Sequence, residues 1–390
     1  MRVALVRQRY DPYGGAERFI ERALPALERA GAESTLIARS ADGWGARRFL
    51  AVDPFHVGNT WRDASFARAA RRAWQAGGFD LVQSHERIAG CDIYRAGDGV
   101  HAEWLDIRRV AAGPAAWSAE RLGIALNPYH RYVCAAERRM FAHPALRVVI
   151  CNSAMVRGEI ARRFGVAPRK LHVIYNGVDL EHFHPRQRAA LRPAARAALG
   201  AGGRDFLFLF VGSGLWRKGL DAAIGALARC ADERFRLIAA GRDRQAERFG
   251  AQARAAGLAG RVQLLGGRDD VRPLYAAADC FILPTRYDPF PNTALEALAM
   301  GLPAIVGRRS GAAEIVRHGE SGWICEPADM DGLARLMRDA ARIAGNADTG
   351  DAARAAARSA AEHYGIDDMA RKLTELYASL AAPAPKGSAK

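Results

Sequence analysis

Short apolar runs alternate with Ala-, Arg- and Leu-rich stretches of helical period along the whole chain. The pattern predicts strands over residues 2–7, 34–38, 81–84, 93–96 and 147–151, then 171–175, 206–211, 236–240, 262–265, 280–283 and 304–306. Several are unbroken, as in Phe206-Leu207-Phe208-Leu209-Phe210-Val211, the mark of a strand covered on both faces. Buried strands alternating with helices imply parallel sheets in doubly wound α/β layers. So many strands exceed one such sheet in 390 residues, and two α/β domains in tandem are expected.

The interruption Gly165-Val166-Ala167-Pro168 follows a helix that Asn152 or Ser153 would cap, and it marks the predicted boundary at 168/169. Residues 186–204, rich in Arg and Ala, form a second soft point, with Pro193 opening a short helix and Gly200 to Gly203 ending it. Over residues 366–380, Met369, Leu373, Leu376, Tyr377 and Leu380 share one helical face. The tail, 383–390, reads as disordered.

Composition narrows the class. Half of the chain is hydrophobic and a quarter charged, which excludes wholesale disorder. No apolar run approaches the roughly 20 residues of a membrane span. The apolar stretch near Met1 is too short for a secretory leader, so a cytoplasmic protein is expected. Six cysteines lie far apart without a C-x-x-C pair, which argues against a zinc cluster or a disulfide scaffold. The net charge of +15 is uneven: residues 1–170 carry 27 basic against 17 acidic side chains, a net +10. An anionic partner is implied, whether phosphate, nucleic acid or an acidic membrane surface.

Three segments carry candidate chemistry. Gly14-Gly15-Ala16-Glu17-Arg18 follows the first strand and opens a helix, where Gly14 and Gly15 would let a ligand reach the backbone; the alternative is a turn serving chain reversal alone. Gly212-Ser213-Gly214-Leu215-Trp216-Arg217-Lys218-Gly219 follows a strong strand, but Leu220 stands where a P-loop needs lysine. Arg217 and Lys218 at a strand's carboxyl end suit a diphosphate whose charge grows as it leaves; a solvated surface pair is the alternative. In the stretch 284–303, Asp288 lies on an aromatic loop and Glu296 on a helix starting near Asn292. Two carboxylates so placed can accept hydrogen bonds from separate hydroxyls of one ligand.

With these motifs in order, the chain resembles the retaining nucleotide-sugar glycosyltransferases of the family-4 type. Their E-x7-E pattern appears as Asp288-x7-Glu296 and runs on into Glu296-Ala297-Leu298-Ala299-Met300-Gly301-Leu302-Pro303. Supporting matches are Gly14 to Arg18, Asn176-Gly177-Val178-Asp179, Gly212 to Gly219, Gly311-Ala312-Ala313-Glu314-Ile315-Val316 and Gly319-Glu320-Ser321-Gly322. Arg9-Tyr10-Asp11-Pro12-Tyr13-Gly14-Gly15 and the run from Arg95 to Glu103 look most similar to lipopolysaccharide-core glucosyltransferases acting on the inner heptose.

The resemblance implies a GT-B fold: two Rossmann-like domains facing a cleft, with the last helix returning to the first. Residues 1–168 plus 366–382 would form the acceptor-side domain and 169–365 the donor-binding domain. Arg217 and Lys218 would hold the donor phosphates, Glu296 the ribose, and Asp288 with the backbone near Phe290, Pro291, Asn292 and Thr293 the sugar. Gly14 and Gly15 would approach the same donor. Asp98 and His101 are candidates for the transferred sugar or acceptor, with His85 a further one; a turn-forming Asp and surface histidines are the alternative.

The donor implied is a nucleotide sugar, UDP-linked, with glucose as the hexose and a lipid-linked glycan such as the core heptose as acceptor. Anomeric configuration would be retained by front-face departure of the diphosphate. Asp329-Met330-Asp331 is read as a helix cap rather than a metal motif, so no metal and no cofactor are expected. Trp104, Trp117, Tyr129 and Tyr132 mix with Arg108, Arg109, Arg121, Arg131, Arg138 and Arg139, which suits the anionic inner face of the cytoplasmic membrane; core aromatics in an arginine-rich chain are the alternative. The rivals are another family-4 specificity (capsule, O-antigen or glycolipid), a GT-B nucleotide-sugar epimerase, and a basic nucleic-acid-binding protein. The last leaves Asp288, Glu296, Arg217 and Lys218 without a role, and no nucleic-acid partner is expected.

Overall fold

In Phe206–Val211 every residue after the first is buried, and alternation of such strands with helices builds two parallel sheets. The computed structural model describes residues 1–10, 31–45, 47–111 and 122–381, together with Leu24 and Glu28. In chain order the first strands are β1 (Arg2–Val6), β2 (Arg9–Tyr10), β3 (Glu33–Ala38), β4 (Ser40–Ala41), β5 (Phe49–Ala51), β6 (Leu81–Ser84), β7 (Ile93–Ala96), β8 (Val148–Cys151) and β9 (Leu171–Val173). Seven of them form one parallel sheet in the order β5-β3-β1-β6-β7-β8-β9, and β2 pairs with β4 beside it. The second sheet runs β12-β11-β10-β13-β14-β15, again parallel, from β10 (Phe206–Val211), β11 (Phe235–Ala240), β12 (Val262–Leu264), β13 (Cys280–Leu283), β14 (Ala304–Gly307) and β15 (Gly322–Cys325). The chain winds outward one way and then returns to wind the other. Strand order therefore reverses between β1 and β6 in one sheet and between β10 and β13 in the other, where open α/β sheets place their ligands.

The chain divides into a unit of Met1–Gly177 with Ile366–Lys390 and a unit of Val178–Gly365. The boundary lies beyond the expected 168/169 because the segment 171–177 belongs to the first sheet. β9 pairs with β8, Arg95 donates to Asn176 Oδ1, and Gly177 N donates to Met369 Sδ. The tail 383–390 lies outside the described residues. Pro193 opens no helix; it sits inside Pro185–Ala198.

The helix Ile366–Ala381 seals the first core. Met369, Leu373, Leu376 and Tyr377 are buried in one cluster with Val3, Leu5, Leu81 and Ile150. The Tyr377 hydroxyl donates to Gln83 on β6, and Arg147 donates to the Leu380 carbonyl at 2.9 Å. All six cysteines are free thiols, five of them buried. No helix among the described residues is long and apolar enough to cross a membrane.

Leu373 has no exposed surface. Leu373→Ala is expected to destabilise the first unit by about 2–5 kcal/mol. Denaturant unfolding of the full chain measures this, and an unchanged midpoint would mean that the returning helix adds nothing to that core.

Candidate active site

Two loops meet where the second sheet reverses. One follows β10 and carries the four-residue helix Leu215–Lys218; the other follows β13 and leads into the helix Asn292–Ala299. Glycine permits the approach. Gly219 has φ +85° and a Cβ there would collide with the Pro284 carbonyl, while a Cβ on Gly307 would strike the Thr285 backbone.

Hydrogen bonds stitch the loops together. The Arg217 carbonyl accepts from Arg286 N at 2.9 Å and Thr285 Oγ1 at 3.0 Å, and the Arg217 guanidinium donates to the Tyr287 carbonyl at 2.9 Å. Lys218 Nζ donates to Asp288 Oδ2. Behind them Arg286 grips both oxygens of Asp221 at 2.8 and 2.7 Å and lies over the Trp216 ring, 4.5 Å from its centroid.

Of the Lys218–Asp288 pair, Asp288 is buried and the Lys218 side chain is 11% exposed. Burial first, and then neighbouring Arg217, lower the Lys218 pKa below the usual lysine value, with Asp288 acting against them. Asp288 is held by its backbone to the loop after β14: its N–H donates to the Arg309 carbonyl and its carbonyl accepts from Gly311 N, each at 3.0 Å.

Glu296 has almost no exposed surface, and the Tyr275 hydroxyl donates to its Oε2 at 3.0 Å. Thr293 Oγ1 donates to the Val211 carbonyl at 3.1 Å, which seats the start of that helix on the end of β10. Tyr287, Phe290 and Pro291 are buried and Asn292 is half-buried. Residues 217, 218, 288, 290–293 and 296 are thus gathered at the carboxyl ends of β10 and β13. Gly14 and Gly15 lie outside the described residues.

The first unit has a cavity of about 270 Å³ at its own reversal, between the ends of β1 and β6. Arg7, Arg62, Asp63, Glu86, Asp98 and Tyr129 are among the residues lining it. Arg7 lies 3.4 Å from Glu86 and 3.9 Å from Asp98. Burial raises the Glu86 pKa above the usual carboxylate value, and Arg7 opposes this. Guanidiniums, carboxylates and a phenol on one wall are the groups that bind a polyhydroxylated ligand.

Of the first-unit candidates Asp98 lines this cavity, whereas neither His85 nor His101 does. His85 is buried with its Nε2 3.0 Å from Gln83 Nε2. The His101 amide donates to buried Glu137 at 2.8 Å, and its Nε2 lies 3.1 Å from His130 Nδ1. Arg7 directly follows β1 and Glu86 lies two residues past the end of β6, so the strand-end rule could have singled them out in the sequence. Arg62, Asp63 and Tyr129 lie on helices with no local motif. Asp329 caps the helix Met330–Ala344 by accepting from Gly332 N at 2.7 Å, and Asp331 pairs with Arg229 at 2.9 Å.

Comparison with known proteins agrees with the fold. Residues 13–182 match the model for glycosyltransferase family 4, and residues 192–358 that for glycosyl transferases group 1. A probable transglycosylase of Burkholderia thailandensis is 29% identical over 88% of both chains. The lipopolysaccharide glucosyltransferase WaaG of Escherichia coli is 25% identical over 87% of this chain and 89% of that one. A crystal structure of WaaG, a glycosyltransferase involved in lipopolysaccharide biosynthesis, superposes with a TM-score of 0.82 at 23% identity, covering 96% of this chain and 99% of that one. The Anabaena protein HepE, solved with UDP-glucose, gives 0.70 at 22% identity over 97% and 100%. These likenesses show the GT-B fold of two Rossmann-like units.

The His101 pKa is pushed down to about 3, by burial first and then by Arg87, His130 and Arg108. The unfolded chain therefore takes up a proton that the folded chain refuses. Stability is expected to fall as pH drops through the interval from about 6.5 to about 3. In His101→Asn that acid limb should flatten, as read by unfolding midpoints across pH; an unaltered slope would exclude His101 as its source.

Proposed function

As the chain belongs to the glycosyltransferases, joining a family-4 domain to a group 1 domain, we propose that it transfers a hexose from a nucleotide sugar to a lipid-linked glycan. The favoured donor is UDP-glucose and the favoured acceptor a heptose of the lipopolysaccharide core. The observation that carries this reading is the pairing of Lys218 with buried Asp288 beside Arg217, with buried Glu296 on the adjoining helix. It places two cations and two carboxylates at one strand reversal, as a sugar diphosphate requires. HepE binding UDP-glucose and WaaG acting in lipopolysaccharide synthesis support the choice of donor and acceptor.

In this reading Arg217 and Lys218 hold the diphosphate, Glu296 the ribose, and Asp288 both aims Lys218 and meets the sugar. The bond from the anomeric carbon to the phosphate oxygen breaks as the acceptor oxygen adds from the same face. The acceptor proton passes to the departing diphosphate, and configuration is retained. Cations help most when charge has built up on the leaving group, so their effect falls on turnover. The first-unit cavity with Arg7, Asp63, Glu86 and Asp98 supplies the acceptor-side contacts. No metal or cofactor enters this chemistry.

Attachment to the inner face of the cytoplasmic membrane belongs to the same proposal. Val110, Leu122 and Leu126 are exposed, as are Arg131, Arg138 and Arg139. Trp104, Tyr129 and Tyr132 are half-buried, so the apolar contact falls to aliphatic side chains; Trp117 and Arg121 lie outside the described residues.

Lys218→Ala is expected to lower turnover on UDP-glucose about a hundredfold, equivalent to about 3 kcal/mol, while Tm changes far less. Unchanged turnover would remove Lys218 from the site. A Tm raised by DNA but not by UDP would favour the nucleic-acid reading over the enzyme. Sedimentation with phosphatidylglycerol vesicles should be salt-sensitive and weaker in Leu126→Ser, and equal binding to phosphatidylcholine would defeat the membrane attachment.

A further inference from the structure

The arginine-rich segment after the first unit remains without a role in the donor chemistry. It forms the helix Pro185–Ala198, on which Arg188, Arg192 and Arg196 recur every four residues and so share a face. That face borders a cavity of about 670 Å³ at the amino ends of β10 and β11, the end of the sheet opposite to Lys218 and Asp288. Arg204, Arg234 and Arg354 complete its basic lining, against the two carboxylates Asp205 and Asp279.

Part of this charge serves the fold. Arg192 donates to the carbonyls of Ala276, Ala277 and Ala278 at 2.8–3.0 Å, and so covers the end of the helix Arg272–Ala277. Asp279 is shared between Arg192 at 2.5 Å and Arg196 at 3.1 Å and also accepts from Leu207 N. Arg234 pairs with Asp232, and Arg354 with Asp351.

Two guanidiniums are left over. Arg188 donates to the Ala278 carbonyl at 3.0 Å, but its buried Nε has no hydrogen-bond partner. Its pKa is pushed down to about 10, by burial and then by Arg192. Arg204 is exposed and makes no ion pair among the described residues.

We propose that this cavity is a second anion site, which takes a small ligand bearing two or more phosphate groups. Guanidiniums match phosphate through paired N–H donors. Cations drawn from a helix, two loops and a second helix would suit charge spread over several groups better than a single anion. The concave form favours a ligand in solution over a lipid headgroup. Binding here needs neither Lys218 nor the donor reading.

Sodium tripolyphosphate is the soluble probe, titrated calorimetrically into the full chain; phosphatidic acid vesicles are the lipid probe. Wild-type protein is expected to bind tripolyphosphate, and Arg188→Gln and Arg204→Ala to weaken that binding at least fivefold. Arg204→Ala should keep its Tm, as the side chain is exposed. Lys218→Ala should retain the binding, and vesicle sedimentation should not change in Arg204→Ala. The proposal is overturned if wild-type protein does not bind, if the cavity variants bind equally well, if only Lys218→Ala loses binding, or if the arginine dependence appears with vesicles alone.

Discussion

The geometry around Lys218 and Asp288 rests on how closely the chain leaves the ends of four strands of one parallel sheet. Adjacent strands stand about 4.8 Å apart, so loops that carry side chains at their first positions diverge. Here Gly219 packs on Pro284, Gly241 on Gly212 and Gly307 on Thr285, and a single Cβ at any of these contacts would force the backbones apart. The close approach lets Lys218 and Asp288 meet largely shielded from water. Each then depends on the other, since a lone buried charge costs several kcal/mol whereas a hydrogen-bonded pair offsets much of that cost. Such a pair contributes little net stability. Its effect is to fix where the cation points.

Much of this was legible before the structure, for a physical reason. Parallel strands buried on both faces must be apolar throughout, so segments such as Phe206–Val211 and Cys280–Leu283 declare themselves without any partner. β5 was not legible: all three residues of Phe49–Ala51 are exposed on an edge, where no burial constrains their pattern. The boundary was misplaced because Gly165 and Pro168 punctuate a helix and a turn, while pairing of β9 with β8 decides the unit. Pro193 misled in the opposite sense, for a helix held by Arg192 and Arg196 tolerates a proline within it. Of the candidate residues, Lys218, Asp288 and Glu296 sit in one motif-bearing loop pair, so their meeting follows from topology. The first-unit cavity draws on Arg62 and Asp63 and on Tyr129, far from them in the chain, and only packing unites them.

One topological rule acts twice in the molecule and yields different chemistry. At β1 and β6 the reversal carries Arg7 and Glu86, which are already close to each other, and a mixed wall results. At β10 and β13 it carries adjacent cations, one of them paired with a buried carboxylate. Mixed charge suits a neutral polyol, whose hydroxyls both donate and accept. Concentrated positive charge suits a diphosphate. The difference lies in the residues set on the strand ends and not in the fold.

The net charge of +15 also has a more particular meaning than a diffuse basic surface. Many arginines are committed to carbonyls: Arg192 covers a helix end, Arg261 reaches Phe235 and Asp232, and Arg358 reaches Leu180, Phe183 and Ala299. A guanidinium has five donors, and spending them on carbonyls satisfies the backbone without consuming a carboxylate. Arginine in that structural role therefore raises the net charge without creating a ligand site. Beside the amino-end cavity Arg188 keeps a buried Nε with no acceptor, as Arg39 does in the first unit, and it lies next to Arg192, whose two terminal nitrogens already donate to carbonyls and to Asp279. Buried donors without partners are uncommon in folded proteins because each loses its hydration without recompense. An anion in the cavity would relieve the repulsion that Arg192 exerts on Arg188, which a surface arginine in water would not need.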